Sequence, residues 1–261
     1  MRVPFYQVDA FATHRFHGNP AAVMVLERYP GDALLQAIAA ENNLAETAFL
    51  VRQDENYRLR WFTPGVEVPL CGHATLASAA VVLERLEPAR AEVTFFSASG
   101  PLVVRRAAAG YAMDFPARPC APLAAPPQLA EALGATALEV VADEFNYTVL
   151  LEDEQAVRGL DPDIAAIARL DRGGVIVTAA GAGRHDFVSR YFAPAKGIPE
   201  DPVTGSAHCA LVPYWAKRLG RTSFRAYQAS KRGGEIKCSL KGDRVELEGE
   251  CVFFLEGHAQ I

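Results

Sequence analysis

Arg60-Trp61-Phe62-Thr63-Pro64 returns as Arg190-Tyr191-Phe192-Ala193-Pro194, 130 residues further along a chain of 261. Continued without gaps, the same offset sets Pro69 opposite Pro199 and Cys71 opposite Asp201. Each copy then reaches a glycine, Gly72 or Gly205, that opens a helical run of small and apolar residues. An amphipathic strand ending at a proline is common by itself. A strand, a proline-marked loop and a glycine-opened helix in one order, twice, point to an internal duplication: two similar domains facing each other.

The flanking segments read in the same way. Residues 6–11 (YQVDAF) and 21–27 (AAVMVLE) are strands around the turn signal His17-Gly18-Asn19-Pro20. Asp32 is expected to cap a helix, ALLQAIAAENN, that ends in an Asn pair. TAFLVR and YRLRWFTP alternate like antiparallel strands. HATLASAAVVLERL is apolar nearly all round, which predicts a buried central helix. In the second half YTVLLE, GVIVTAA and HDFVSRYFAP are strand-like, DPDIAAIARL is helical, and GSAHCALVPYWAKRL is a second long helix. FRAYQAS, GEIKCSL, DRVELEG and CVFFLEG close the chain as strands.

Between the halves lies PARPCAPLAAPP, with five prolines in twelve residues, which cannot continue a helix or a central strand. The expected division is a domain over 1–116, a Pro-rich linker over 117–127 and a domain over 128–249, with a last strand at about 250–261 that can pack back on the first domain.

Composition excludes several classes of function. Half the residues are apolar, 22% are charged and the formal net charge is −5, so nothing resembles the basic stripe of a nucleic-acid binder. No run approaches the roughly 20 apolar residues of a membrane helix. The opening residues have no signal-peptide pattern. Five cysteines, an odd number without a CxxC pair, argue against a disulfide framework or a zinc ribbon and suit a reducing cytoplasm. The six histidines show no HxxxH or HExxH pair, and His14 and His17 lack acidic or cysteine partners nearby in the chain, so no metal is expected. No cofactor is expected either: P-loop and dinucleotide glycine patterns are missing, as is the Gly-x-Ser-x-Gly elbow of a serine hydrolase.

The repeated loops suggest where chemistry sits. A helix that opens on glycine offers free N–H groups and the positive end of its dipole, which together suit a small anion such as a carboxylate. Two such starts, at Gly72 and Gly205, are expected at a cleft between the domains. Glu46 lies in Asn42-Asn43-Leu44-Ala45-Glu46-Thr47, between a helix end and an apolar strand. A carboxylate desolvated at such a junction can exchange protons near neutrality, though the position alone fits a solvated loop glutamate as well. His73 at the mouth of the first helix reads as a catalyst or as a hydrogen-bonded structural residue. Asp201 before Pro202 can simply stabilise a turn, and Ser206 can be no more than a helix-start hydroxyl. His208, inside the helix, reads as structural.

With these residues in view, the chain resembles the PhzF-like isomerase family of phenazine biosynthesis. The resemblance spans nearly the whole length. It rests on Asp9-Ala10-Phe11 with Gly18-Asn19-Pro20-Ala21-Ala22-Val23, Asn43-Leu44-Ala45-Glu46-Thr47, and Phe62-Thr63-Pro64 followed by Cys71-Gly72-His73-Ala74-Thr75. Phe192-Ala193-Pro194 and Asp201-Pro202-Val203-Thr204-Gly205-Ser206-Ala207 complete it. It implies an α+β fold similar to diaminopimelate epimerase, in which two pseudo-symmetric domains each wrap an antiparallel, barrel-like sheet around a central helix. It also implies a homodimer and a cofactor-free isomerase acting on a small carboxylate, similar to trans-2,3-dihydro-3-hydroxyanthranilate isomerase.

In that resemblance Glu46 is the acid/base, His73 and Asp201 orient the substrate, and Asn19, Gly72, Gly205 and Ser206 bind it. Related epimerases use two facing thiols. Cys71 stands where the first would be, and the ungapped repeat puts Asp201 opposite it. The alternatives that stay open are an amino-acid epimerase using Cys71 and Asp201, and a non-catalytic carboxylate-binding protein of the same fold.

Overall fold

The computed structural model describes residues 1–261 as two compact units, Met1–Asp114 with Glu248–Ile261, and Phe115–Leu247. The first carries β1 (Arg2–Ala10), β2 (Asn19–Leu26), α1 (Asp32–Asn42), β3 (Glu46–Gln53), β4 (Asn56–Phe62), the short β5 (Glu67–Val68), α2 (Gly72–Val81), β6 (Glu92–Ser97), β7 (Gly100–Arg106) and β8 (Tyr111–Pro116). The second carries β9 (Ala121–Pro122), α3 (Pro127–Leu133), β10 (Glu139–Ala142), β11 (Asn146–Leu150), α4 (Glu154–Arg158), α5 (Ile164–Ile167), β12 (Gly174–Ala180) and β13 (Phe187–Ala193). It continues with β14 (Ile198–Asp201), α6 (Gly205–Leu219), β15 (Ser223–Gln228), β16 (Gly234–Lys241) and β17 (Arg244–Gly249). The final strand, β18 (Cys251–Gln260), lies antiparallel to β1 in the first unit.

Strand pairing repeats from unit to unit. In the first, β1 is antiparallel to β2, β2 parallel to β3, β3 antiparallel to β4, β4 parallel to β6 and β6 antiparallel to β7. In the second, the same sequence of orientations runs through β10, β11, β12, β13, β15 and β16. The expected antiparallel sheets are therefore mixed. Parallel pairs occur where a helix intervenes, because parallel neighbours need a crossover and a tight hairpin cannot supply one.

Helix α2 is buried along its length from His73 to Val81 and packs on β1, β2, β3, β7 and β18, so the first sheet wraps round it. Alanines at 74, 77, 79 and 80, all fully buried, let the surrounding strands approach closely. Helix α1 covers the other face, where Leu35 and Ile38 join Met24, Phe49 and Phe62. β2 and β3 are thus covered on both faces, and their sequences read as continuous apolar runs. In the second unit α6 plays the part of α2. Trp215 of α6 stacks on Phe187 of β13 at 5.5 Å and donates its indole N–H to Thr178 of β12 at 3.1 Å.

Several local expectations need correction. The residue capping α1 is Gly31; Asp32 is the first helical residue, where its charge suits the helix dipole. The long helix expected over 73–86 stays α-helical only to Val81 and finishes as a π turn over Val82–Leu86. DPDIAAIARL yields only the four-residue α5, capped by Asp163. The hairpins of β6, β7 and β8 escape the sequence reading, although their apolar residues alternate.

Residues 115–127 fold with the second unit, and β9 within them pairs with β10. Pro213 sits inside α6 and lacks the N–H that would bond Cys209 O; that carbonyl accepts Arg118 N at 2.9 Å instead, tying the start of the proline-rich segment to the helix.

The two RxFxP motifs occupy matching places at the ends of β4 and β13, and each arginine grips a glutamate two-pronged on the short strand that follows. Arg60 holds Glu67 at 2.7 and 2.7 Å; Arg190 holds Glu200 at 2.7 and 3.0 Å. The second loop is three residues longer, however, so the helix starts, not the ungapped repeat, define the equivalence. The residue matching Cys71 as helix cap is Thr204, and Asp201 falls three residues earlier.

Candidate active site

Three elements of the first unit bring Glu46, His73, Asn19 and Cys71 together. The turn after α1 is fixed by Asn43 in the left-handed region (φ 48), whose N–H closes the helix on Ala39 O, and by Asn42, which donates to Thr47 Oγ1 at 3.0 Å. That turn delivers Glu46 as the first residue of β3, opposite Ala21 of β2. Asn19, two residues before Ala21, lies on the same face because side chains alternate along a strand. Cys71 caps α2, and His73 follows in its first turn.

His73 is the hub. Its Nε2 lies 3.1 Å from Glu46 Oε2, its Nδ1 3.1 Å from Asn19 Nδ2 and 3.5 Å from Cys71 Sγ. Glu46 is 8% exposed and His73 5%. The approach of Nε2 to Oε2 is close, but its angles are not those of a hydrogen bond, so each atom is buried with bonding capacity unspent.

Burial disfavours the imidazolium, yet the Cys71 sulfur and the Glu46 carboxylate beside the ring outweigh it and raise His73 well above its usual range. Burial, reinforced by Glu46, pushes the Cys71 thiol up to about 11, so at neutral pH it is a protonated thiol rather than a thiolate nucleophile. When the ring is neutral, Asn19 Nδ2 donates to Nδ1; the imidazolium instead requires the amide to present its oxygen.

The second unit builds its loop from different chemistry. Asp201 ends β14, and its Oδ2 accepts from Thr204 Oγ1 at 2.5 Å. Gln228, fully buried on β15, locks this loop: its Nε2 donates to Asp201 O at 2.7 Å and Thr204 Oγ1 at 3.1 Å, and its Oε1 accepts Thr204 N at 2.8 Å. Gly205 is buried and Ser206 exposed at the helix start. His208 is fully buried, with Nδ1 donating to Thr204 O at 2.8 Å, and burial pushes it down to about 4. Cys209 is buried and donates to Gly205 O. Thr204 and Gln228 escape the sequence reading; Gln228 sits on a strand beyond α6, and no local pattern marks it.

The expectation about metals also meets a new fact. Spacing along the chain gave no ligand set, but folding places one ligand atom each from Glu46, Cys71 and His73 within 4.8 Å of one another. The three come from two separate segments, which a search for local motifs does not connect.

Across known proteins, the profile of the phenazine biosynthesis-like proteins matches residues 8–257. The chain belongs to that family. An uncharacterized isomerase of Pseudomonas aeruginosa is 50% identical over 261 residues, all of both chains. The phenazine biosynthesis-like domain-containing protein 1 of Mus musculus is 40% identical, with 98% of this chain and 99% of that protein covered. The crystal structure of a PhzF-family protein from Enterococcus faecalis superposes with a TM-score of 0.97 over 100% of both chains, at 46% identity. The family's α+β fold, that of the diaminopimelate epimerases, is the fold of this protein, and the protein is an enzyme of the isomerase class.

Proposed function

We propose that this family member is a cofactor-independent isomerase or epimerase that moves a proton at carbon in a small carboxylate substrate, with Glu46 as the acid/base. The observation that carries this reading is Glu46 itself: a buried carboxylate at a rigid strand start, 3.1 Å from a histidine that Asn19 and Cys71 hold in place. Glu46 takes the proton from one carbon and returns it, to another carbon in an isomerisation or to the same one in an epimerisation. His73, whose surroundings raise it above its ordinary range, stabilises negative charge as it develops on the substrate.

On the resemblance to the family, Gly72, Gly205 and Ser206 are assigned to binding the substrate, a role that suits the N–H groups of a helix start. Asn19 and Asp201 orient its polar substituents. A dihydro-hydroxyanthranilate is the first compound to try, because the resemblance to the phenazine isomerase names it. The five cysteines are all free thiols, which fits a cytoplasmic enzyme. A homodimer is proposed on the same resemblance.

The test is NMR in D₂O with trans-2,3-dihydro-3-hydroxyanthranilate and a panel of amino and hydroxy acids, run beside Glu46→Gln. Deuterium entering at carbon with wild type and not with a folded Glu46→Gln supports the reading. Equal exchange in both proteins, or binding of a compound with no exchange at any carbon, overturns it.

A further inference from the structure

We propose that Glu46, Cys71 and His73 bind one thiophilic divalent cation of the Zn²⁺ or Cd²⁺ class, and that its occupancy switches the enzyme off. The donors are an oxygen, a sulfur and a nitrogen, the set such cations select, and all three lie within 4.8 Å of one another. Every ligand stands on a fixed element: Glu46 at the start of β3, Cys71 capping α2, and His73 in its first turn.

Glu46 Oε2 and His73 Nε2 lie 3.1 Å apart, both buried, and neither makes a hydrogen bond of good geometry to the other or to any other group. Unsatisfied buried groups are rare in native proteins, and a cation between these two satisfies both. Ligation through Nε2 leaves the ring proton on Nδ1, and Asn19, whose amide lies 3.1 Å away, accepts it once it presents its oxygen, the outer hydrogen bond that fixes the ring of a metal-bound histidine. A tetrahedral ion with bonds of about 2.0–2.3 Å spaces its donors roughly 3.3–3.7 Å apart, so drawing the side chains inward by about an ångström closes the site.

Binding releases two protons and no electrons: the proton on His73 Nε2 leaves to solvent, freeing the lone pair that ligates the cation, and so does the Cys71 thiol proton. The cation forms a bond to Cys71 sulfur as the thiol proton leaves to solvent, and its charge is then balanced by one thiolate and one carboxylate. The fourth position is open to water. With its lone pairs on the cation, Glu46 can no longer collect a proton from carbon. That last step rests on the acid/base reading of Glu46; the binding site does not.

The experiment is a titration of the reduced, metal-stripped full-length protein with Co²⁺, followed by displacement with Zn²⁺. One equivalent of Co²⁺ is expected to give a thiolate-to-cobalt charge-transfer band and the strong visible bands of a four-coordinate ion. Cys71→Ser removes the charge-transfer band, Cys120→Ser keeps it, and Glu46→Gln and His73→Gln each weaken Zn²⁺ binding by at least about 10–100-fold.

Wild-type protein with five reduced thiols and no charge-transfer band overturns the site, without reliance on any variant folding. A band that survives in Cys71→Ser also overturns it. Stoichiometric Zn²⁺ with undiminished deuterium exchange overturns the switching role alone. Exchange retained in Glu46→Gln counts against the proposed function and leaves the cobalt result standing.

Discussion

Thr75 and His208 hold the same place in two helices: each puts a side-chain donor on the backbone carbonyl of its own helix cap, Thr75 on Cys71 O at 2.5 Å and His208 on Thr204 O at 2.8 Å. The duplicated units therefore solve one problem, fixing a helix start that carries functional groups, with two side chains of different chemistry. Threonine does not titrate. Histidine does.

His208 is expected to make stability fall in acid. Its folded value of about 4 lies below the unfolded value near 6.5, so the unfolded chain takes up the proton first. The contribution is complete above pH 6.5, and up to about 3 kcal/mol of it is lost as pH falls to 4. His208→Thr, which copies the first unit, should flatten this slope. Urea unfolding at pH 7.5 and 4.5 checks it: the wild-type difference shrinks by about 2–3 kcal/mol in the variant.

His73 works in the opposite direction. Its folded value is raised, so its contribution is fully present below pH 6.5 and disappears as pH rises through the higher folded value. His73→Gln should lose its stability deficit progressively as pH rises above about 6.5, read as the gap in Tm between the two proteins. Deuterium exchange should fall by roughly 10²–10⁴ in the same variant, since it lacks the group that stabilises charge beside Glu46.

Gly18 governs Asn19 from one residue away. It adopts φ +66, and a Cβ there would stand 2.2 Å from Ala10 O and 2.9 Å from Ala12 Cβ. Gly18→Ala must shift the backbone at the start of β2, at a cost of roughly 2–4 kcal/mol. Because Asn19 moves with it, exchange activity should drop further than stability alone explains. Denaturation and exchange measured on one sample of folded protein separate the two effects.

The paired arginines should differ in weight. Arg190 is nearly buried and also donates to Leu160 O at 2.5 Å and Val157 O at 3.3 Å, whereas Arg60 and Glu67 are more open to solvent. Lysine cannot reproduce a two-pronged grip and two carbonyl bonds together. Arg190→Lys is expected to cost about 2–3 kcal/mol and Arg60→Lys about 1 kcal/mol or less, measured by urea unfolding.

Much of this protein was legible in the residues alone. The repeated RxFxP strands, the glycine-opened helices and the apolar belts of 73–81 and 205–219 depend on local periodicity and backbone chemistry, which a sequence displays directly. Glu46, His73 and Cys71 could be singled out in the same way, each from its own motif. What no local pattern held was their mutual distance.

Glu46 meets His73 because β3 lies beside β2 and α2 fills the curve of the sheet, and Gln228 reaches the Asp201 loop because β15 pairs in parallel with β13. The parallel pairs, the three-residue register change that sets Thr204 against Cys71, and the buried donor trio were decided by packing between distant segments. Sequence fixes which side chains are available and what each can do, since that is covalent chemistry; which of them share one dry volume is set only when the chain closes around its two helices.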